Sequence, residues 1–185
     1  MWEVSYVLSN SNQTITMEVL PKPETQAAVA ATFRLLATAV SEAGVLGPED
    51  LIGSQVMIKL FDFPGMLVTQ GTGSSIAVQD SSSTDQAAST FRLVYGVDRK
   101  PRSVSLRLES IKGCFVYSNQ PLKAEMKLRV ECNPDATDEK FKRGASFRLS
   151  KAMIQYNPLS FVMSRTQGNF FLSPLNSFRD ETYNV

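Results

Sequence analysis

Histidine is absent from this 185-residue chain, and its absence limits the chemistry that the side chains can carry out. The commonest general base, the histidine-dependent catalytic triads and most zinc sites are excluded. Two carboxylates at a set separation can still hydrolyse a glycosidic bond. However, Asp62, Asp80, Asp85 and Asp180 fall on separate predicted loops, and no motif pairs them. We therefore predict that the chain alone is not an enzyme and needs no metal or cofactor.

The two cysteines, Cys114 and Cys132, are too few to form a thiolate zinc site by themselves. Cys114 begins one apolar strand pattern, and Cys132 ends another. If these strands pair antiparallel, the cysteines lie opposite each other at a distance that suits a disulfide. Two separate, half-buried thiols fit the sequence equally well. A disulfide would favour an extracellular or secretory setting.

A strand, a glycine and a second apolar strand occur three times in the chain. The copies start at Val56, Val104 and Leu159, and in each the glycine follows at the same spacing. A second repeat places an aromatic, an arginine and an aliphatic residue in alternation, as at Phe33, Phe91 and Phe147, with a weaker copy at Tyr183. Alternation puts these arginines on the outer face of each strand, where we expect them to be solvated.

Together the two repeats predict three units of four short strands each. The first unit covers 56–61, 66–70, 75–79 and 89–95, and the second covers 104–110, 114–118, 126–132 and 145–150. The third covers 159–164, 169–173, a strand near Ser177, and 182–185. This arrangement is typical of a β-trefoil, so the predicted fold class is all-β, a trefoil of three four-stranded repeats.

The segment before the first unit has its own pattern. Apolar residues alternate from Val4 to Leu8 and from Ile15 to Val19, with a polar turn between them, which predicts a hairpin. We predict an N-terminal β-hairpin appendage and linker over 1–25 and a trefoil domain over 26–185. The Phe33 repeat is surplus to three units and is assigned to the segment that leads into them. A short helix is predicted over 37–43.

Charge and hydropathy exclude several classes of partner. The net charge is +1, so the short basic loops at 99–102 and 140–143 are interpreted as turn charges and not as a nucleic-acid patch. No apolar run is long enough to cross a bilayer, and the N-terminus lacks the pattern of a signal peptide. We predict a monomer that binds neither nucleic acid nor membrane.

Several segments resemble a known family of modules. They are 8–17, 61–66, 112–118 and 177–185, and they follow the family's order along nearly the whole chain. The chain resembles the arabinofuranosidase-B (AbfB) type β-trefoil, carbohydrate-binding module family 42. It is most similar to the C-terminal region of plant proteins that carry a glycoside hydrolase family 127-like catalytic region. That region's catalytic cysteine and metal-binding cysteines have no counterpart here.

The resemblance also implies where sugar would bind. The family uses a histidine after each repeat glycine, and those positions hold Gln70, Ser118 and Ser173. It uses an aspartate before each repeat aromatic, and those positions hold Ala88, Gly144 and Asp180. Only the third unit keeps the carboxylate. The residues of the predicted ligand site all belong to this unit: Asp180, Ser173, Tyr156 and Asn157.

The resemblance implies a non-catalytic, carbohydrate-binding-like module that is accessory to a plant cell-wall polysaccharide hydrolase. The expected partner is an arabinose-containing polysaccharide or a catalytic domain, and the expected location is extracellular or in the cell wall. The alternative is a structural or protein-interaction trefoil that binds no sugar. In that case Asp180 caps a turn before the last strand and contacts no ligand.

Overall fold

The computed structural model of the chain describes residues 5–37, 48–119, 124–133, 138–150, 154 and 170–171. Strands account for 45% of the structure and helices for 14%. The predicted all-β class is therefore confirmed.

Thirteen strands are formed within the described residues. In chain order they are β1 (Tyr6–Ser11), β2 (Thr14–Val19), β3 (Phe33–Ala37), β4 (Gln55–Leu60), β5 (Met66–Gln70), β6 (Ile76–Asp80), β7 (Phe91–Tyr95), β8 (Ser103–Leu108), β9 (Cys114–Tyr117), β10 (Met126–Lys127), β11 (Arg129–Cys132), β12 (Phe147–Arg148) and β13 (Phe170–Phe171). The strands predicted for the first unit correspond to β4–β7, and those of the second unit correspond to β8–β12. Of the strands predicted for the third unit, only β13 lies within the described residues.

All of these strands join one antiparallel sheet. Its main path runs β1-β2-β6-β5-β4-β7-β8-β9-β11, and the four remaining strands pair at the sides of this path. Close to its far end, an isolated bridge links Arg129 to Ser75, and the Val130 N–H donates to the Ser74 carbonyl at 2.6 Å. This contact brings β11 back toward the segment before β6, although the sheet of described strands is not closed.

The strand pairing repeats along the chain in equivalent registers. Phe91 of β7 pairs with Leu108 of β8, and Phe33 of β3 pairs in the same way with Leu60 of β4. Phe91 also pairs with Val56, at the start of its own unit, and Phe147 pairs likewise with Val104. The Phe33 strand is therefore placed like the last strand of a preceding unit.

The core follows from the period-two pattern of these strands. On β4 the side chains of Val56, Ile58 and Leu60 are buried, and on β7 those of Phe91 and Leu93 are buried. They belong to one continuous apolar cluster that extends from β2 to β11. Inward-facing apolar side chains lose contact with water on folding, which fixes the face and the register of each strand.

The predicted N-terminal hairpin is present as β1 and β2. Its two-residue turn is formed by Asn12 and Gln13, whose φ values are 49° and 60°, as the tight turn of a hairpin requires. The hairpin does not stand apart as an appendage, because β2 pairs with β6 and β10 and its Ile15 and Met17 lie in the main core. The division of the chain at residue 25 stays a prediction.

Short helices precede the repeated phenylalanine strands, and the sequence patterns did not predict them. They are α1 (Gln26–Ala30), α2 (Gln86–Ser89) and α3 (Glu139–Gly144). The N-cap residues are Thr25, Asp85 and Asp138, and each of their side chains accepts a hydrogen bond from a backbone N–H in the first turn of the helix that follows. A 3-10 turn covers Pro48–Leu51. Most of the helix predicted over 37–43 lies outside the described residues.

Candidate functional site

The four predicted ligand residues, Asp180, Ser173, Tyr156 and Asn157, lie outside the described residues. Their grouping into one site stays a prediction. The corresponding positions of the first two predicted units are described: Gln70 and Ala88, and Ser118 and Gly144. Their geometry shows whether a sugar has space and polar partners there.

In the first unit, the two positions lie on elements that contact each other. Gln70 ends β5 and is half-buried, and Ala88 lies in α2, which packs against β5. The Thr69 side chain beside Gln70 is fully buried, and its hydroxyl donates to the Gln70 carbonyl at 3.3 Å. The site therefore keeps one amide that can recognise a sugar hydroxyl, and it has no carboxylate at the second position.

In the second unit, the corresponding space is filled. The Ser118 N–H donates to the Gly144 carbonyl at 2.9 Å, so the two backbone segments are in direct contact. A Cβ atom at residue 144 would overlap the Tyr117 ring and the Ser118 carbonyl oxygen. An aspartate does not fit at Gly144 without displacing this contact.

An aromatic cluster closes the second position further. The Tyr117 ring is 8% exposed and stacks on Phe141, with 5.9 Å between ring centroids and 15° between their planes. Phe115 meets the same Phe141 ring edge-on at 5.9 Å, and the Arg129 guanidinium lies 5.0 Å from the Tyr117 centroid. Tyr117 is therefore a packing residue, because its ring already stacks on Phe141 and already contacts the Arg129 cation.

Of the two alternatives for the cysteines, a disulfide or two separate thiols, the structure contains the disulfide. Strands β9 and β11 pair antiparallel with Cys132 opposite Cys114, and the two residues form a disulfide. Cys114 is buried and Cys132 is exposed. The bond ties the start of β9 to the end of β11, directly beside the aromatic cluster.

The carboxylates of Asp62, Asp80 and Asp85 lie in different local environments. Asp80 accepts hydrogen bonds from the Ser82 hydroxyl and N–H, which lower its pKa, and Asp85 caps α2. Burial raises the pKa of Asp62, and this effect outweighs the backbone N–H groups near that carboxyl. Within the described part of the chain, no three His, Cys, Asp or Glu side chains are grouped to hold a metal ion.

Two surface clefts were missed by the sequence patterns. The larger, about 690 Å³, lies between the hairpin, α1 and β10, and its lining residues include Thr14 and Thr16. The smaller, about 230 Å³, lies beside the end of β7 and contains Tyr95. Alternation groups Tyr95 with the buried Phe91 and Leu93, yet its side chain is 75% exposed because the strand ends there. The alternation of apolar residues therefore predicts a buried Tyr95 and misses its exposure.

Comparison with protein-family models and with curated protein sequences finds no match to this chain. Among the described residues, no helix has the length and apolar character that a membrane crossing requires.

Proposed function

We propose that this chain is a non-catalytic, carbohydrate-binding-like module of the β-trefoil type, accessory to a plant cell-wall polysaccharide hydrolase. The observation that carries the fold in this proposal is the repeated register of the strand pairs, and the carbohydrate function rests on the resemblance of segments 8–17, 61–66, 112–118 and 177–185. Phe33 and Phe91 pair alike with the ends of β4 and β8, and Phe91 and Phe147 pair alike with their beginnings. Such repetition is expected when equivalent units bury one shared core.

The trefoil arrangement itself is part of the proposal. It is supported by the bridge between Ser75 and Arg129. The second unit therefore contacts the first at β8, which pairs with β7, and again at β11. It is also supported by β3, whose Leu35 pairs with Phe170 of the third unit. A chain whose first repeated strand pairs with its last unit returns to its own beginning, as a threefold arrangement requires.

Sugar binding is assigned to the third unit because the other two have lost the groups that the resemblance requires. The first keeps only the Gln70 amide, and the second is filled by Tyr117 and Gly144. Asp180 then accepts hydrogen bonds from sugar hydroxyls, and Ser173, Tyr156 and Asn157 complete the site. The disulfide supports the extracellular location.

The test is binding to soluble arabinan and arabinoxylan by isothermal titration calorimetry, with a glucan as the control polysaccharide. The wild-type chain is expected to bind an arabinose-containing polymer, and Asp180→Ala is expected to weaken that binding. Asp85→Ala, which removes a helix cap, is the matched control and is expected to bind as wild type. Unchanged binding by Asp180→Ala overturns the third-unit site.

A second candidate, a structural or protein-interaction trefoil that binds no sugar, is favoured by the filled second position. There the space for a sugar is taken by Tyr117, Phe141 and Gly144, so this unit serves packing. No binding to any polysaccharide, together with a stable complex with a glycoside hydrolase family 127-like catalytic region, would establish this candidate.

A further inference from the structure

Tyr95 is the most exposed large hydrophobic residue among those described, although it lies in a strand whose other inward positions are buried. Its Cα is opposite Val104 of β8, and Val104 in turn pairs with Phe147 of β12. The tyrosine therefore stands at the edge where the last strands of two successive units meet the start of β8. Single exposed apolar side chains are common on protein surfaces, so the exposure of Tyr95 gains meaning only from the residues around it.

The Tyr95 ring borders a cleft of about 230 Å³ with a mixed lining. Ile52, Val104 and Leu149 are the apolar lining residues. Glu49 and Arg102 also line the cleft, and their side chains carry an acceptor and a donor. In the described structure, neither charged group forms an ion pair with another residue. Both are therefore free to bind an external polar group.

The loop that carries Arg102 is held in place by its own hydrogen bonds. The Gly96 N–H donates to the Ser103 carbonyl at 2.8 Å, and the Ser103 hydroxyl donates to Asp98 Oδ1 at 2.6 Å. Burial raises the pKa of Asp98, but the hydrogen bonds from Ser103 and Lys100 outweigh it and keep this carboxylate ionised. The Asp98 N–H donates to the Ser146 hydroxyl at 3.1 Å, which ties the loop to the segment before β12.

The opposite wall is fixed as well. The Gly53 N–H donates to the Leu93 carbonyl at 2.7 Å, and the Leu93 N–H donates to the Ser54 carbonyl at 3.0 Å. These bonds hold the 3-10 turn with Glu49 against β7. Because the backbone of both walls is ordered before any ligand arrives, binding loses little backbone conformational entropy.

We propose that this cleft binds one saccharide residue, stacked on the Tyr95 ring and held by Glu49 and Arg102; the proposal rests on the proposed carbohydrate function but places a site outside the third unit. A sugar ring has an apolar face that fits an aromatic ring and hydroxyl groups that both donate and accept hydrogen bonds. A carboxylate and a guanidinium on either side satisfy those two roles. The cleft is smaller than the roughly 300–1,000 Å³ of drug-sized pockets, which limits it to a single ring.

The test measures binding of three soluble polysaccharides, arabinan, arabinoxylan and the uronate polymer polygalacturonate, by calorimetry. Tyr95→Ala and Arg102→Ala are each expected to weaken binding about tenfold. Two matched controls lie outside the cleft. Phe63→Ala removes another exposed ring, 55% exposed. Arg99→Ala removes the same charge from the same loop, at a similar φ of 56° against 60° for Arg102. Both controls are expected to bind within twofold of wild type.

The polymers distinguish neutral sugars from acidic ones, since preference for polygalacturonate would place a carboxylate on Arg102. Wild-type binding that survives Tyr95→Ala but is lost in Asp180→Ala overturns the Tyr95 cleft and leaves the proposed function intact. Absence of binding to all three polymers overturns both the Tyr95 cleft and the proposed function.

Circular dichroism confirms that each variant is folded. Shifts of the Tyr95 ring resonances on titration of the wild-type chain provide a second readout that needs no mutation. Unshifted Tyr95 resonances at saturation would contradict the cleft.

Discussion

Arg92 joins two separate segments through its guanidinium group. It donates to both oxygens of Glu109, at 2.7 and 2.9 Å, and to the Gly53 carbonyl at 2.7 Å. Alternation correctly places this arginine on the outer face of β7, but the partner 17 positions further along is not encoded in any local pattern. What the sequence describes as a solvated charge is therefore a link between β7, the loop after β8 and the turn before β4.

The Arg92 link predicts a defined pH dependence of stability. The hydrogen bond from Arg92, with a second from Gln55, lowers the pKa of Glu109 from its ordinary 4.5 to about 2. Because the folded-state pKa lies below the unfolded one, the stabilising effect is complete above pH 4.5 and is lost as the pH falls toward 2. In urea unfolding, Glu109→Gln is expected to be less stable than wild type at pH 7, and the difference is expected to shrink steadily below pH 4.5. The pair is partly exposed, so high salt should also reduce the difference. A difference that stays constant from pH 7 to pH 2.5 would contradict this account.

Gly144 offers a test of the filled second-unit position. A methyl group there overlaps the Tyr117 ring and a backbone carbonyl, and the backbone cannot move aside as a flexible side chain does. Gly144→Ala is therefore expected to reduce the free energy of unfolding by about 1–3 kcal/mol, the usual effect of overpacking. Thermal unfolding followed by circular dichroism measures it.

Gly65→Ala is the control for this substitution, because a Cβ at Gly65 has no heavy atom within 4 Å. It is expected to change stability by less than about 1 kcal/mol. Equal effects of the two substitutions would show that the contact at Gly144 is not tight. The sequence alone marks both glycines only as repeat or pre-strand positions, and the close approach at Gly144 becomes visible only when α3 is placed against β9.

At the scale of elements, local patterns predict strands well and helices poorly. Strands β4–β7 follow from the alternation of apolar residues, since one face of each is buried in the common core. Helices α1, α2 and α3 have six residues or fewer, too short to show a helical period. Their signal lies instead in the cap residues Thr25, Asp85 and Asp138, which alone are weak evidence because such residues also favour turns.

The pairing of β9 with β11 makes a prediction about redox conditions. The disulfide between Cys114 and Cys132 closes a loop with a sequence separation of 18, and a loop of this size stabilises a fold by about 3 kcal/mol. Reduction is therefore expected to lower the free energy of unfolding by about that amount, measured by chemical denaturation with and without a thiol reductant. The double variant Cys114→Ala/Cys132→Ala is the control and should respond to reductant in neither its midpoint nor its slope. Wild-type stability that is insensitive to reduction would contradict a stabilising role of the bond.

At the scale of the whole molecule, the hairpin shows what a one-dimensional pattern cannot determine. Alternation identifies β1 and β2, but it does not reveal which surface their apolar face covers. That depends on β2 meeting β6 and β10, which are far away in sequence. The exposed Tyr95 has the same origin, because its environment is set by the end of its own strand and by the 3-10 turn and loop that border the cleft. Long-range pairing therefore decides both the core and the smaller cleft.

The shared core leads to a prediction about cooperativity. Ile15 of the hairpin is fully buried and belongs to the same apolar cluster as Phe91 and Val130. Truncation to Ile15→Ala is expected to reduce the free energy of unfolding by about 2–5 kcal/mol. Val19→Ala in the same strand, where the side chain is 51% exposed, is expected to change it by less than about 1 kcal/mol. Native-state hydrogen exchange locates the effect: in Ile15→Ala, protection should fall equally at β2, β7 and β11 if the hairpin and both units unfold together. A loss confined to β1 and β2 would show instead that the hairpin opens independently, as an appendage would.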